Sequence, residues 1–265
     1  LHKIKLPTKA AIMCTVVFIP TTDSTFFASL RDENPLRPEA SAPAIRLRNG
    51  IKTLSPADAL AGGTWVCVND LGSVFILLNG GFNNHTRQKN YTRSRGLIVH
   101  EISAARQPLI FWSQLELNDT EPFTLVVWYL DKLYQLVWDG QEKHQSRLPE
   151  TECHIWSSST LYNSGARLYR TGLFNEWAMA GHVISCESIL DFFRSYTDAT
   201  NGFIMNRNEV VKTLSYSFIE ITGNKKALMH YLQLPDKLTM TELNFKHHAP
   251  VQHQLETVTD RDNEF

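Results

Sequence analysis

Met13-Cys14 opens the run Cys14-Thr15-Val16-Val17-Phe18-Ile19, which reads as a buried β-strand headed by a thiol. If translation starts at Met13 and that methionine is removed, Cys14 carries its thiol and a free α-amine on one residue. An α-amine has an ordinary pKa of about 8, so at neutral pH it can take a proton from its own side chain. That is the minimal equipment of an N-terminal nucleophile. The competing reading of the same residues is a packed strand thiol, since free cysteines are among the most buried side chains.

The other candidate groups carry less chemistry. Cys14, Cys67, Cys153 and Cys186 are widely spaced and form no C-x-x-C pair, which argues against a zinc or dithiol redox centre. The serine run Ser157-Ser158-Ser159 lacks the G-x-S-x-G context of a serine nucleophile. Arg87, Lys89, Arg93 and Arg95 cluster around Tyr91, as a carboxylate or phosphate grip or as a solvated basic loop. His247, His248 and His253 lie in a polar tail that gives a metal little support. Trp65, Trp112, Trp128, Trp138, Trp156 and Trp177 read as core and cleft-wall residues. No metal or organic cofactor is expected.

Composition bounds the setting. The 265 residues are 43% hydrophobic and 20% charged with a formal net charge of −1, ordinary for a globular protein. That balance supplies no field for nucleic acid, and no apolar run reaches the ~20 residues of a membrane span. Residues 1–13 carry three lysines and make a poor signal peptide. They are expected to be an upstream start, an expression remnant or a short propeptide. A cytoplasmic location with free thiols follows as an expectation. The partner expected is a small molecule; nothing in the sequence speaks to oligomeric state.

The elements that must position these groups are mostly strands. Thr25–Leu30 follows Cys14–Pro20 after a hairpin loop, and Arg31 to Pro56 reads as a long ordered loop with at most one strand. Gly62–Val68 and Ser73–Asn79 pair across Asn69-Asp70-Leu71-Gly72, both apolar almost throughout, which predicts a sheet covered on both faces. Gly80 to Arg95 is a polar loop, and Leu97–Ile102 has helical spacing. Phe123–Trp128 and Lys132–Asp139 form a hairpin, Ile155–Leu161 a strand end, Ser164–Met179 and Ser185–Ala199 helices. Thr213–Ile219 and Leu228–Leu234 close the fold across Gly223-Asn224. Two stacked antiparallel sheets flanked by helices satisfy this count, as one domain over 14–245 with a polar tail over 246–265.

A series of motifs sharpens this. Met13-Cys14 on a first strand, Arg31-Asp32-Glu33 with Arg37-Pro38, Gly62-Gly63-Thr64-Trp65, Asn79, Ser94-Arg95-Gly96-Leu97 and His154-Ile155-Trp156-Ser157-Ser158 together resemble the NRDE family, which includes the transport-and-Golgi-organisation proteins. The likeness spans about Met13 to Leu234. That family is in turn similar to cysteine N-terminal-nucleophile hydrolases such as bile salt hydrolase and penicillin V acylase, which implies an α+β fold, a four-layer αββα sandwich of two antiparallel sheets flanked by helices. It implies Cys14 as nucleophile, with Arg31 as the cation that lowers its pKa and Asp32 orienting the α-ammonium or the arginine. The residues alone would equally allow a surface Arg31–Asp32 ion pair. An asparagine near the place of Asn79 helps form the oxyanion hole in those hydrolases, although Asn79 before Gly80 also suits a plain turn. Trp65, Ser158 and Ser159 are the implied substrate contacts. Leu30 stands where the signature has asparagine, and the serine run stands where one branch has Ser-Asn; Ser158 or Ser159 is then the substitute donor. The implied activity is hydrolysis of a non-peptide amide bond in an N-acyl small molecule. The alternative implied by the eukaryotic relatives is a non-catalytic carrier or interaction protein for haem or a lipid-like ligand.

Overall fold

A computed structural model describes residues 13–85, 91–160, 162–198, 201–207, 210–223 and 225–246, with Met13 and Cys14 described through their backbone. In chain order the elements are β1 (Met13–Pro20), β2 (Ser24–Glu33), β3 (Ser41–Arg48), β4 (Ile51–Ala57), β5 (Val66–Asn69), β6 (Val74–Asn79), α1 (Arg95–Ser103) and α2 (Pro108–Gln114). There follow β7 (Phe123–Tyr129), β8 (Lys132–Trp138), β9 (Lys143–Leu148), β10 (His154–Ser157), α3 (Ser164–Met179) and α4 (Cys186–Ser195). The chain closes with β11 (Asn206–Arg207), β12 (Val211–Thr222), β13 (Lys226–Gln233) and β14 (Lys237–Asn244).

The strands form two antiparallel sheets. One has the order β10-β1-β2-β12-β13-β14 with β11 beside β12; the other runs β3-β4-β5-β6-β7-β8-β9. Period-two alternation assigns the faces of the first sheet. Val17, Ile19, Phe26, Ala28, Leu30, Tyr216 and Phe218 pack against Phe174 of α3 and Ile189, Phe192 and Phe193 of α4. Their neighbours Val16, Phe18, Phe27, Ile219 and Ile221 turn inward onto Val74 to Leu78 and the rest of the second sheet, whose far side is covered by Ile98, Val99 and Ile102 of α1 and Trp112 of α2. The layers are helices, sheet, sheet, helices, as expected. Among the described residues no helix is long and apolar enough to cross a membrane.

Most expected elements are present within a few residues. The 31–56 segment is the main correction: β2 continues to Glu33, and both β3 and β4 cross what reads as loop, joined at Asn49-Gly50 with φ of 51° and 74°. Positive φ at both central residues gives the hairpin turn whose twist suits the strands. β9 and β14 are also strands that the sequence conceals. β3, β9 and β14 are sheet edges, rich in exposed side chains, and an edge has no second buried flank to impose an apolar pattern. The second helix of the helical block stops at Ser195, short of the expected end at Ala199, and is held at its start by a Ser185–Ser188 capping box. The tail is tied down at its first residue, where Lys246 meets Asp70 Oδ2 at 2.9 Å. His247, His248 and His253, Asn224 of the closing turn, Arg87 and Lys89 of the basic cluster, and residues 1–12 lie outside the described residues.

Candidate active site

Register sets the site. In the β1–β2 ladder Cys14 stands opposite Arg31 and Met13 opposite Asp32. Arg31 is buried, and its guanidinium reaches the second sheet, where Nη2 donates to Asp58 Oδ2 at 2.7 Å and Cζ lies 4.4 Å from the centre of the Trp65 ring. Cation–π contact and ion pair together fix its orientation.

Asp58 is the residue that sequence reasoning missed. It sits just after β4 and accepts from Arg37 Nε at 2.7 Å and Arg37 Nη2 at 2.9 Å, and from the Ala61 backbone N–H at 2.7 Å. Burial pushes its carboxyl up, but the Arg37 and Ala61 hydrogen bonds and the two arginine charges outweigh this and hold it below the usual range. Glu33 lies beside the same pair, 3.8 Å from Arg31 and 3.5 Å from Arg37, and burial raises its pKa. A buried arginine demands a carboxylate; which one cannot be read from a position 27 residues away in sequence.

Asp32 does not orient Arg31. It points to the helix-covered face, where Oδ1 accepts from Thr213 Oγ1 at 2.6 Å. The signal for this was in the sequence, because consecutive residues of a strand face opposite ways. Burial raises the Asp32 carboxyl to about 6, against the Thr213 hydrogen bond and the charges of Arg170 and Arg207. Oδ2 has no hydrogen-bond partner among the described residues. Arg170, fully buried on α3, knits the same region together. It bonds the Thr15 hydroxyl next to Cys14, the Ser157 hydroxyl at 3.1 Å and the Gly202 carbonyl at 2.7 Å, and lies over the rings of Tyr162 and Phe203. No motif in the sequence marks it.

Asn79 is buried at the end of β6 and lines two clefts. The first, of about 100 Å³, is bounded by Arg31, Arg37, Asp58, Thr64, Trp65, Leu77 and Arg95. The second, of about 200 Å³, is bounded by Gly80 to Phe82, Thr124, Gln135, Trp156, Ser157 to Ser159 and Arg167. The expected residues therefore divide. Arg31, Trp65 and Asn79 come together around the smaller cleft, Ser158 and Ser159 meet Asn79 at the larger one, and Asp32 belongs to neither. Ser158 donates to the Asn79 carbonyl at 2.6 Å, and Ser159 to the Asn83 carbonyl at 3.3 Å. Of the basic cluster, Arg95 lines the smaller cleft and pairs with Glu121, while Arg93 pairs with Glu101.

Glycines make the two motifs at the smaller cleft fit. A Cβ on Gly63 would sit 2.6 Å from the Gly96 carbonyl carbon, so the Gly62-Gly63 and Arg95-Gly96 backbones touch directly. Gly80 has φ of 85°, and a Cβ there would fall 2.3 Å from Ser159 Oγ.

The remaining thiols are poor nucleophiles. Burial pushes Cys67 up to about 12 and Cys186 up to about 11, and raises Cys153. Among the described residues no group of three or more His, Cys, Asp or Glu is placed to hold a metal.

Comparison with known proteins agrees with this architecture. The profile of a family described as Transport and Golgi organisation 2 matches residues 13–231. Among curated proteins no sequence match is found. The fold is similar to a Caenorhabditis elegans N-acylethanolamine-hydrolyzing acid amidase ortholog, at 10% identity and a TM-score of 0.57 over 78% of this chain and 92% of that one. It is also similar to a mutant of the conjugated bile acid hydrolase of Clostridium perfringens, at 8% identity and a TM-score of 0.56 over 87% of this chain and 92% of that one. A second variant of that hydrolase gives 8% identity and a TM-score of 0.55 with the same coverage. At these identities the likeness speaks for the fold.

Proposed function

Since the chain belongs to the Transport and Golgi organisation 2 family, known also as NRDE, and has the αββα fold of N-terminal-nucleophile hydrolases, we propose that it is a cysteine amidohydrolase acting on the amide bond of an N-acyl small molecule. The observation that carries this reading is the pairing of Cys14 with Arg31, whose guanidinium lines a cleft shared with Trp65 and Asn79. Of the proteins similar in fold, one is an N-acylethanolamine-hydrolyzing acid amidase ortholog and another a conjugated bile acid hydrolase.

In the proposed reaction Met13 and everything before it is absent, so that Cys14 has a free α-amine. The amine takes the thiol proton and the thiolate attacks the amide carbonyl carbon, its charge favoured by Arg31. The tetrahedral oxyanion accepts a hydrogen bond from the Asn79 side-chain amide. The C–N bond breaks, the α-ammonium returns its proton to the leaving nitrogen, and a thioester remains on Cys14. A water, deprotonated by the same amine, then attacks the thioester; the C–S bond breaks and the carboxylic acid and the thiol are restored. Asp32, with Oδ2 unpartnered among the described residues and its backbone one position from Cys14 in the ladder, is the group proposed to orient the ammonium.

The test begins with protein whose first residue is verified by intact mass as Cys14. It is offered N-acyl amides and the released amine is measured; a thiol-reactive probe is then added and the adduct mapped. Turnover lost in Cys14→Ala together with labelling at Cys14 supports the reading. Adducts confined to Cys67, Cys153 or Cys186 overturn it. Biological activity unchanged in Cys14→Ala supports ligand carriage on the same fold instead.

A further inference from the structure

The strand order β10-β1-β2 puts β1, which Cys14 heads, between two neighbours, and each neighbour borders a different cleft. Arg31 of β2 lines the smaller one, and Trp156 and Ser157 of β10 line the larger. Asn79, on the strand facing β1 from the other sheet, is common to both. An amide bond held at Cys14 and Asn79 has one arm for each cleft.

The two clefts differ in how their cations are matched. Every arginine lining the smaller cleft is paired with a carboxylate: Arg31 and Arg37 with Asp58, Arg95 with Glu121. Among the described residues the larger cleft has one charged lining residue, Arg167 of α3. Among the described residues Arg167 has no carboxylate partner, and its buried Nε has no hydrogen-bond partner; Nη1 donates to the Phe82 carbonyl at 3.3 Å. Gln135 lines the same cleft, and its Oε1 accepts from Trp156 Nε1 at 2.7 Å, so among the described residues the NH₂ end of the amide is the one not engaged in that bond. The nearby hydroxyls spend their protons on backbone carbonyls: Thr124 on that of Gly80, Ser158 on that of Asn79, Thr171 on that of Arg167. A guanidinium with no acid partner and an unused N–H, in one cleft with an amide whose donors are unengaged among the described residues, is complementary to an anion.

We propose that the larger cleft is a specificity subsite for an acidic group, with Arg167 and Gln135 as its donors, so that the substrates are N-acyl compounds carrying an acid at the end of one arm. This rests on the amidohydrolase reading for the identity of the bond between the clefts. The uncharged arm lies against Trp65 and Leu77 in the smaller cleft, where the arginine charges are already met.

The test reads binding rather than turnover, in Cys14→Ala protein, by calorimetry. Four probes are used: N-hexanoyl-β-alanine and its neutral amide N-hexanoyl-β-alaninamide, which place the acid on the amine arm, and N-hexylsuccinamic acid and N-hexylsuccinamide, which place it on the acyl arm. At least one acid is expected to bind tenfold or more tightly than its neutral partner, and which one identifies the arm. Arg167→Gln should remove that preference while leaving the neutral compounds unchanged. Gln135→Glu keeps the acceptor for Trp156 and should remove it too, by placing a like charge opposite the ligand. Equal binding of acid and amide, no binding of any probe at millimolar concentration, or a preference that survives both substitutions overturns the proposal. Failure of wild-type turnover leaves these binding results standing, so the two readings fail separately.

Discussion

Arg31 stands directly opposite Cys14 in the β1–β2 ladder, yet its carboxylate partner, Asp58, comes from the opposing sheet. The cation assigned to the thiol is thus held by an ion pair that spans the sandwich, and the electrostatics of the site depend on how the two sheets stack.

The first consequence is a pKa. An opposite charge within about 4–6 Å lowers an acid's pKa by about 1–3. Arg31→Met should move the pH midpoint for alkylation of Cys14 up by about one pH unit or more. Amide turnover at pH 7 should fall about tenfold or more. Iodoacetamide rates across pH, with intact-mass assignment of the adduct, check it.

Asn79→Ala separates chemistry from binding. The Asn79 carbonyl that Ser158 holds belongs to the backbone and survives the change. Loss of an oxyanion donor costs about 10²–10³ in kcat. Steady-state kinetics should show that fall with KM within about threefold of the starting value; an equal loss in binding of substrate analogues would instead give Asn79 a purely structural part.

Asp58→Ala should destabilise the fold. Two arginines then share the remaining acid Glu33, at 3.8 and 3.5 Å and without hydrogen bonds to it. Breaking a buried ion pair by removing one partner costs about 3–5 kcal/mol. Equilibrium denaturation measures this, and Asp58→Asn, which retains an acceptor for the Ala61 N–H, should cost less.

Asp32 makes stability depend on pH. Burial raises its folded pKa from 3.8 to about 6. A carboxyl raised on folding favours the folded state while protonated, and that contribution is lost as pH climbs through about 6. In protein that keeps Met13, Asp32→Asn should therefore be more stable than the parent at pH 8, by on the order of 2–3 kcal/mol, and equal to it near pH 3.5. Melting temperatures of the two proteins across that range decide it.

Gly63→Ala tests the contact between the two glycine motifs. The new methyl would meet the Gly96 backbone at 2.6–2.7 Å, and backbone cannot yield as a side-chain tip does. Overpacking of this kind costs about 1–3 kcal/mol. Gly62→Ala is the contrast. Nothing lies within 4 Å of its added carbon, but φ is 66°, so any cost there is conformational.

Much of the fold was legible in the residues. β5, β6, β7 and the helix from Ser164 to Met179 are apolar in patterns that only a covered sheet or an amphipathic helix explains. β3, β9 and β14 were hidden because they are edges, where exposed Arg48, Gln145 and Glu242 say nothing about pairing. Arg170 was hidden for a different cause. Its partners, Thr15, Ser157 and Gly202, come from three separate segments, and nothing local marks an arginine on α3 as fully buried.

Local chemistry is what the chain carries on its face: a cysteine heading a strand, an arginine near the end of the next, glycines where backbones must touch. Hairpin register follows almost directly, because a short turn leaves two adjacent strands little choice of alignment. The stacking of the sheets decided the rest. It delivered Asp58 and Trp65 to Arg31 and left Asn79 between two clefts whose arginines differ, Arg167 lacking the acid that the others have among the described residues. Those relationships join positions tens of residues apart, and they exist only once burial of both apolar faces has fixed how one sheet lies on the other.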